Sequence, residues 1–283
     1  MKGKTVVITG GNDGIGFQTA LELARMGANI VIVSRNEQKA KNAVEGIKSS
    51  TGNNNIQYDV ADLASQQSIR KAAEQIRSKV DKIDVLLNNA GGSFQKFQLT
   101  EDGLELTIAT NHFAYFLLTG LLLDLLKKPD SARIVNVSSH SHYRGKIDFE
   151  SFTKSKSYFI MKAYEQSKLA NVLFTFELAD KLKNSNVAAN CLHPGMVKTK
   201  LGNKAGGYSA VFWTLVSSAF GISVEKGAQT SVYLASSLEM KGVTGKYFAK
   251  CKPVKVNPLA NDIVLRKKLW EESEKYSEFH YPV

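Results

Sequence analysis

The chain has 283 residues, 43% of them hydrophobic, with 37 Lys+Arg against 26 Asp+Glu and a net charge of +11. This composition excludes collagen-like, disordered, coiled-coil and disulfide-scaffold chains. Two cysteines, Cys191 and Cys251, neither in a CxxC pair, give no basis for a disulfide framework or a zinc site, and no metal is expected. The basic excess is scattered, as at Lys39, Lys41, Lys71, Lys79, Lys127, Lys181 and Lys183, and no nucleic-acid-binding motif accompanies it. It reads as a solubilising surface, with no nucleic-acid partner expected.

The elements alternate from the start. Lys4–Thr9 reads as a short buried strand and Gly14–Met26 as a helix closed by Gly27. Strands at Asn29–Val33, Asn55–Val60 and Ile83–Asn88 follow, separated by helices at Glu37–Ser49 and Ser65–Val80. A long helix at Leu104–Leu126, a strand at Arg133–Ser138, a long helix at Tyr158–Lys183 and a strand at Asn186–Leu192 continue the pattern. Val224–Ser236 reads as a helix, Lys246–Ala249 as a last short strand and Arg266–Tyr276 as a charged amphipathic tail helix with Leu269 and Trp270 inward. Bare Val/Ile/Leu runs suit strands covered on both faces. The expectation is therefore an α/β fold: one Rossmann-type, doubly wound parallel sheet over residues 1–283, flanked by helices on both faces.

Met1-Lys2-Gly3-Lys4 runs straight into the first strand, without a signal peptide. The longest apolar stretch, Tyr208–Val224, has 17 residues and is diluted by serines, which is short for a membrane span. A soluble, cytoplasmic protein is expected, with peripheral contact to a membrane surface left open.

Thr9-Gly10-Gly11-Asn12-Asp13-Gly14-Ile15-Gly16 lies between the first strand and the first helix. Its G-x-x-x-G-x-G spacing permits a tight turn and close backbone approach to a pyrophosphate, which the amides and dipole of the helix N-terminus then face. The second strand ends in Ser34-Arg35-Asn36, without the acid that usually accepts ribose hydroxyls in NAD binders. Arg35 can fork onto a 2′-phosphate, so NADP(H) is the expected cofactor. Tyr164 and Lys168 lie four apart, on one helical face. A lysine cation favours the phenolate of a neighbouring tyrosine, fitting it for proton exchange with a carbonyl or alcohol oxygen. Tyr158 and Lys162 share the spacing, but Ser167, Ala170 and Asn171 give Tyr164 the small-residue face a cofactor needs.

These motifs stand in order with Asn88-Asn89-Ala90-Gly91, Asn111, Ser139 and Pro194-Gly195, and together they resemble the short-chain dehydrogenase/reductase family from near the start to about residue 250. The resemblance implies Tyr164 as general acid/base, Lys168 lowering its pKa and holding the nicotinamide ribose, Ser139 binding the substrate oxygen and Asn111 maintaining a water-linked proton relay. Ser138 is the rival for Ser139. The resemblance further implies Asn88 on the adenosine ribose side, Asp59 and Val60 at the adenine, Ala90, Gly91, Pro194 and Gly195 along the cofactor, and Val197 and Thr199 at the carboxamide. A homodimer through the two long helices is also a family-level expectation.

Ser139 and Tyr164 are 25 positions apart, about twice the spacing of many members, because of an insertion at 140–158. That insertion, with Asn111-His112-Phe113 and Gly227-Ala228-Gln229-Thr230, resembles the retinol dehydrogenase-like branch, whose members act on retinoids and other lipophilic aldehydes or ketones. His140 and His142 then read as parts of the loop, His193 is given no chemical role, and Cys191 reads as buried and inert. Residues 200–224 would form a substrate lid, with Phe212, Trp213, Leu215 and Phe220 lining an apolar pocket. The expected function is NADP(H)-dependent interconversion of a carbonyl and an alcohol on a small hydrophobic, retinoid-like substrate, a carbonyl reductase or alcohol dehydrogenase. Two rivals are a carbon–carbon double-bond reductase of the protochlorophyllide reductase type and a cofactor-binding sensor without turnover.

Overall fold

A computed structural model of the chain describes residues 1–155, 157–195 and 222–283. Its centre is an eight-stranded sheet built from β1 (Thr5–Thr9), β2 (Asn29–Ser34), β3 (Ile56–Val60), β4 (Val85–Asn88), β5 (Ala132–Val137), β6 (Val187–Leu192), β7 (Tyr247–Ala249) and β8 (Lys252–Pro253). The strand order is β3-β2-β1-β4-β5-β6-β7-β8, parallel except for the antiparallel β7–β8 pair. β1 is buried along its whole length, Val6 and Ile8 packing into one apolar layer and Val7 into the other. Each fully buried aliphatic of this kind contributes roughly 1.5–3 kcal/mol relative to exposure. The doubly wound expectation holds, and the order reverses between β1 and β4. That reversal opens a crevice at the carboxyl ends of the strands.

Helices α1 (Gly14–Arg25) and α2 (Glu37–Thr51) cover one face. α3 (Gln66–Lys79) packs on the other. Each starts on a side-chain cap: Asp13 takes the Gly14 amide, Asn36 the Lys39 amide and Ser65 the Ser68 amide. Gly52, in the left-handed region, closes α2.

The expected single helix over 104–126 is broken into α4 (Leu106–Ile108), a π-helical turn (Ala109–Phe113), α5 (Ala114–Leu121) and α6 (Leu123–Lys127). Glu105 caps α4 through the amides of Thr107 and Ile108. The π turn forms where the Asn111 side chain is held away from the helix by Gly92 and Ser167, so local polar contacts outweigh regular α geometry. α7 (Ile160–Lys181) is the long central helix and α8 (Val224–Ser236) packs beside α1.

The tail helix, α9 (Ile263–Ser277), starts three residues earlier than expected because Asp262 caps it through the Leu265 amide. It lies against α7, Arg266 meeting Glu177 and Asp180, while Trp270 and Tyr281 pack on Phe116 and Phe174. The chain's own tail thereby covers Phe116 of α5 and Phe174 of α7.

β8 was not expected. It forms because Lys250 and Cys251 both take positive φ, 49° and 60°, in the tight turn after β7, and neither residue advertises such a turn. The outer edge of β3 is shielded by Lys79, whose ammonium bonds the Tyr58 carbonyl at 2.8 Å. No helix among the described residues is long and apolar enough to cross a membrane. The lid expected at 200–224 lies almost wholly outside the described residues, as do Val197 and Thr199.

Candidate active site

The crevice floor is built from glycines. Gly10 and Gly14 have φ of +67° and +54°, in the left-handed region that glycine alone occupies cheaply. At Gly16 a Cβ would stand 2.3 Å from the Gly10 carbonyl oxygen and 2.5 Å from Asn89 Nδ2, so no side chain fits. Asn89 holds this loop from β4: its Nδ2 donates to the Thr9 carbonyl at 2.9 Å, and the amides of Asn89 and Ala90 donate to Thr9 Oγ1 at 2.9 and 3.0 Å. Asn12, Asp13 and Ile15 complete the turn, with Asp13 exposed. A bare backbone cradle at a helix N-terminus, closed by α1, suits a dinucleotide pyrophosphate.

Two residues expected at the cofactor have buried side chains engaged elsewhere. Asn88 is fully buried, its amide donating to Thr119 Oγ1 and Asn136 Oδ1, both at 2.9 Å. It ties β4 to β5 and α5 beneath the crevice, and the next residue, Asn89, is the one that reaches the glycine loop. Asp59 is 3% exposed and pairs with Lys79 on α3, because its place in β3 points it into the α3 layer that also holds Ala61. Burial raises its pKa, partly countered by Lys79. The acid at the crevice is Asp62, beyond β3, whose carboxylate is 3.8 Å from Arg35 Nη1. The signal that could have found it is its place just after the strand, two residues ahead of the Ala64 amide its Oδ1 accepts. Val60 remains exposed at the end of β3. Arg35 is 68% exposed at its side chain, and among the described residues this long ion pair is the contact it would give up.

Around β5 and α7 the remaining residues converge. Lys168 is 4% exposed and donates to the Val137 carbonyl at 3.1 Å. Its Nζ lies 5.6 Å from the Tyr164 ring centre and 5.9 Å from that of Tyr115. Gly91 is close enough that a Cβ there would meet Asn111 Oδ1 at 2.9 Å and Lys168 Nζ at 3.3 Å. Asn111 is fully buried: its Oδ1 accepts from Gly92 N, and its Nδ2 donates to the Gly92 carbonyl and to Ser167 Oγ, each at 2.8 Å.

The two serines part company. Ser138 is buried and donates to the Lys168 carbonyl at 2.7 Å, which spends its proton on the backbone. Ser139 is partly exposed, and its hydroxyl pulls the pKa of the neighbouring Tyr164 phenol down against the burial that raises it. Burial also pushes Lys168 down to about 7. The lysine is thus less fully cationic near neutrality than its sequence position suggests, because its single carbonyl bond does not offset desolvation. Tyr158 is occupied elsewhere: its hydroxyl bonds the Phe94 carbonyl, Thr107 Oγ1 and Glu105 Oε1, and its pKa rises to about 12. Lys162 is exposed over the Phe159 ring, so the second Y-x-x-x-K pair forms no site.

Beyond β6, the His193 ring accepts the Gly195 amide at Nδ1, 3.1 Å away, and so holds the Pro194-Gly195 turn, a part the sequence reading did not assign it. Cys191 is buried, which raises its thiol pKa, as expected for an inert core position. Among the described residues no three His, Cys, Asp or Glu side chains are placed to hold a metal ion.

Residues 4–207 match the family described as short chain dehydrogenase. Human retinol dehydrogenase 13 is 43% identical over 96% of this chain and 84% of its own length. Human retinol dehydrogenase 14 is 41% identical over 97% of this chain and 86% of its own. Among solved structures, an uncharacterized protein from Mycobacterium paratuberculosis superposes with a TM-score of 0.80 at 33% identity, covering 100% of this chain and 96% of that one. A short chain dehydrogenase from Shigella flexneri complexed with NADP has a TM-score of 0.67 at 25% identity, covering 89% of this chain and 98% of that one.

Proposed function

The chain belongs to the short chain dehydrogenase family, and from that premise we propose that it is an NADP(H)-dependent oxidoreductase interconverting a lipophilic aldehyde or ketone with its alcohol. The observation that carries the reading is the buried Lys168, its Nζ 5.6 Å from the Tyr164 ring centre, with Ser139 beside that phenol while Ser138 is turned into the backbone. The glycine cradle, Asn89, Ala90 and Gly91 would hold the dinucleotide, and Arg35 would exchange its loose Asp62 pair for a 2′-phosphate. When bound, the nicotinamide supplies or accepts the hydride.

In the reductive direction the Tyr164 hydroxyl gives its proton to the carbonyl oxygen as the carbon receives hydride; in the oxidative direction the phenolate takes the alcohol proton. The Ser139 hydroxyl donates to the same oxygen and stabilises the charge growing on it. Lys168, buried beneath Tyr164, favours the phenolate whenever its own ammonium is charged. Asn111, spent on Gly92 and Ser167, keeps the turn after β4 close to Lys168 and anchors the relay behind it. The lipophilic substrate follows from the relatives, which are named retinol dehydrogenases, and from the aromatic stretch Phe212–Phe220.

NADPH consumption against aldehydes and ketones of rising apolar size, retinal included, tests the proposal. Turnover should rise with apolar size. Tyr164→Phe should lower kcat by at least about 10³-fold, in the range general acid/base catalysis supplies, with NADPH binding intact. Arg35→Asp should shift preference toward NADH. Unimpaired turnover in Tyr164→Phe would remove the assigned acid/base, and an unchanged preference in Arg35→Asp would remove the 2′-phosphate contact.

A further inference from the structure

Ser139 is held by more than its place at the end of β5. Its carbonyl oxygen accepts from the His142 amide at 3.1 Å, from His142 Nδ1 at 2.8 Å and from the Tyr247 hydroxyl at 3.2 Å. Its own hydroxyl oxygen accepts the Ser141 amide at 3.2 Å, so that residue's proton is left to point toward Tyr164 and the substrate oxygen.

The His142 tautomer follows from its partners. Asn257 N–H approaches Nε2 at 3.3 Å, and since an amide only donates, Nε2 carries no proton. The proton is therefore on Nδ1 and is donated to the Ser139 carbonyl. The ring is fully buried between Tyr143 and Tyr247, with centroids 4.1 and 4.5 Å away. Burial pushes its pKa down to about 4, so this neutral form is the one present through the physiological range. Asn257 also clamps the turn below: its Nδ2 lies 3.1, 3.2 and 3.1 Å from the carbonyls of His142, Tyr143 and Gly145. The segment after β8 thus grips the inserted loop, and the loop grips Ser139.

We infer that His142 is a positioning residue for the reaction, orienting Ser139 through the Nδ1–H donated to its carbonyl, with Asn257 fixing the ring in that tautomer. This rests on the reading of Ser139 as the donor to the substrate oxygen. His142 touches no reacting atom; it acts by holding Ser139 at a distance and angle that a small displacement would spoil.

Three substitutions separate positioning from mere support. His142→Phe keeps the ring and removes both nitrogens. His142→Asn places its amide nitrogen where Nδ1 stands, and His142→Gln places its amide near Nε2. Steady-state kinetics with NADPH and a carbonyl substrate, the NADPH dissociation constant and Tm would be measured for each, with Ser139→Ala alongside. His142→Phe should lower kcat on the order of 10- to 100-fold with NADPH affinity unchanged. His142→Asn should recover kcat to within about threefold of the parent, and His142→Gln should not, whatever the two do to Tm. Should His142→Phe fail to fold, the Asn and Gln pair still decides. Equal impairment of Asn and Gln, or a parent-like kcat in His142→Phe, overturns the inference. Parent-like turnover in Ser139→Ala instead overturns the reading of Ser139, a failure visible without any His142 variant.

Discussion

The crevice has two sides built on different principles. On the β1–β4 side the site is made of backbone: Gly10, Gly14 and Gly16 turn the chain, and Asn89 and Thr9 fasten it. On the β5–β6 side it is made of side chains held by side-chain and backbone partners, some of them far away in sequence. Ser139 depends on His142, His142 on Asn257, and the π turn carrying Asn111 leans on the tail helix through His112 Nε2 and Ser273 Oγ, 2.8 Å apart. Because the Ser273 hydroxyl donates to the Leu269 carbonyl at 2.6 Å, it accepts from His112, which is therefore protonated on Nε2. A backbone site tolerates no added atom. A side-chain site tolerates repacking but fails when a neutral donor is lost.

The sharpest way to break this contrast is on the backbone side. Gly16→Val puts atoms within 2.3 Å of the Gly10 carbonyl, and a backbone oxygen cannot step aside cheaply. Dinucleotide affinity, measured by titration of purified protein, should fall by at least about 100-fold, or 2.7 kcal/mol. Near-parent affinity would mean the loop is far more yielding than its geometry implies.

Lys168 stands where the two sides meet and separates activity from stability. Its folded pKa, about 7, lies below the ordinary lysine value of 10.5. Between those values the unfolded chain binds the extra proton, so this residue makes stability rise with pH across roughly 7 to 10.5. Below 7 its burial cost is carried in full. Lys168→Met should therefore abolish turnover while raising Tm at or below pH 7 on the order of a few °C, as thermal unfolding across pH would read. A lower Tm at pH 7 would mean the Val137 contact outweighs desolvation.

The smallest effect tests the side-chain half. Burial lowers His112 to about 3, and His142 and His193 to about 4 each. All three are neutral in the folded protein at pH 5, while the unfolded chain protonates them below about 6.5. Protons then favour the unfolded state, so stability should fall as pH drops from about 6.5 toward 4. Denaturant midpoints at pH 7 and 5 should differ less in His112→Phe than in the parent. An equal difference in both would show that burying His112 contributes nothing to the acid limb.

The same contrast explains what could be read from the chain. Glycine spacing and bare aliphatic strands act locally, so the sheet and the glycine-rich turn after β1 were visible, and Tyr158 is seen to be tied up by Phe94, Thr107 and Glu105. One-residue and three-residue offsets were harder. Asn88 is the last residue of β4 and Asn89 the first beyond it, and Asp59 and Asp62 differ likewise in lying within β3 or past it. Partners distant in sequence left no local trace at all. Nothing near His142 announces Asn257, 115 positions on, and nothing near Asn111 announces that its own side-chain contacts would open a π turn.

That π turn also governs how the chain tolerates changes of length. In a regular helix, removing one residue rotates everything downstream by about 100° and turns the buried face outward. Within Ala109–Phe113 the extra residue is already absorbed as a widened turn. A single deletion at Thr110 would let the segment close into ordinary α-helix while Phe116 and Leu117 kept their phase against the core. The architecture would survive such a shortening, and only the offset that carries Asn111 to Gly92 and Ser167 would be erased.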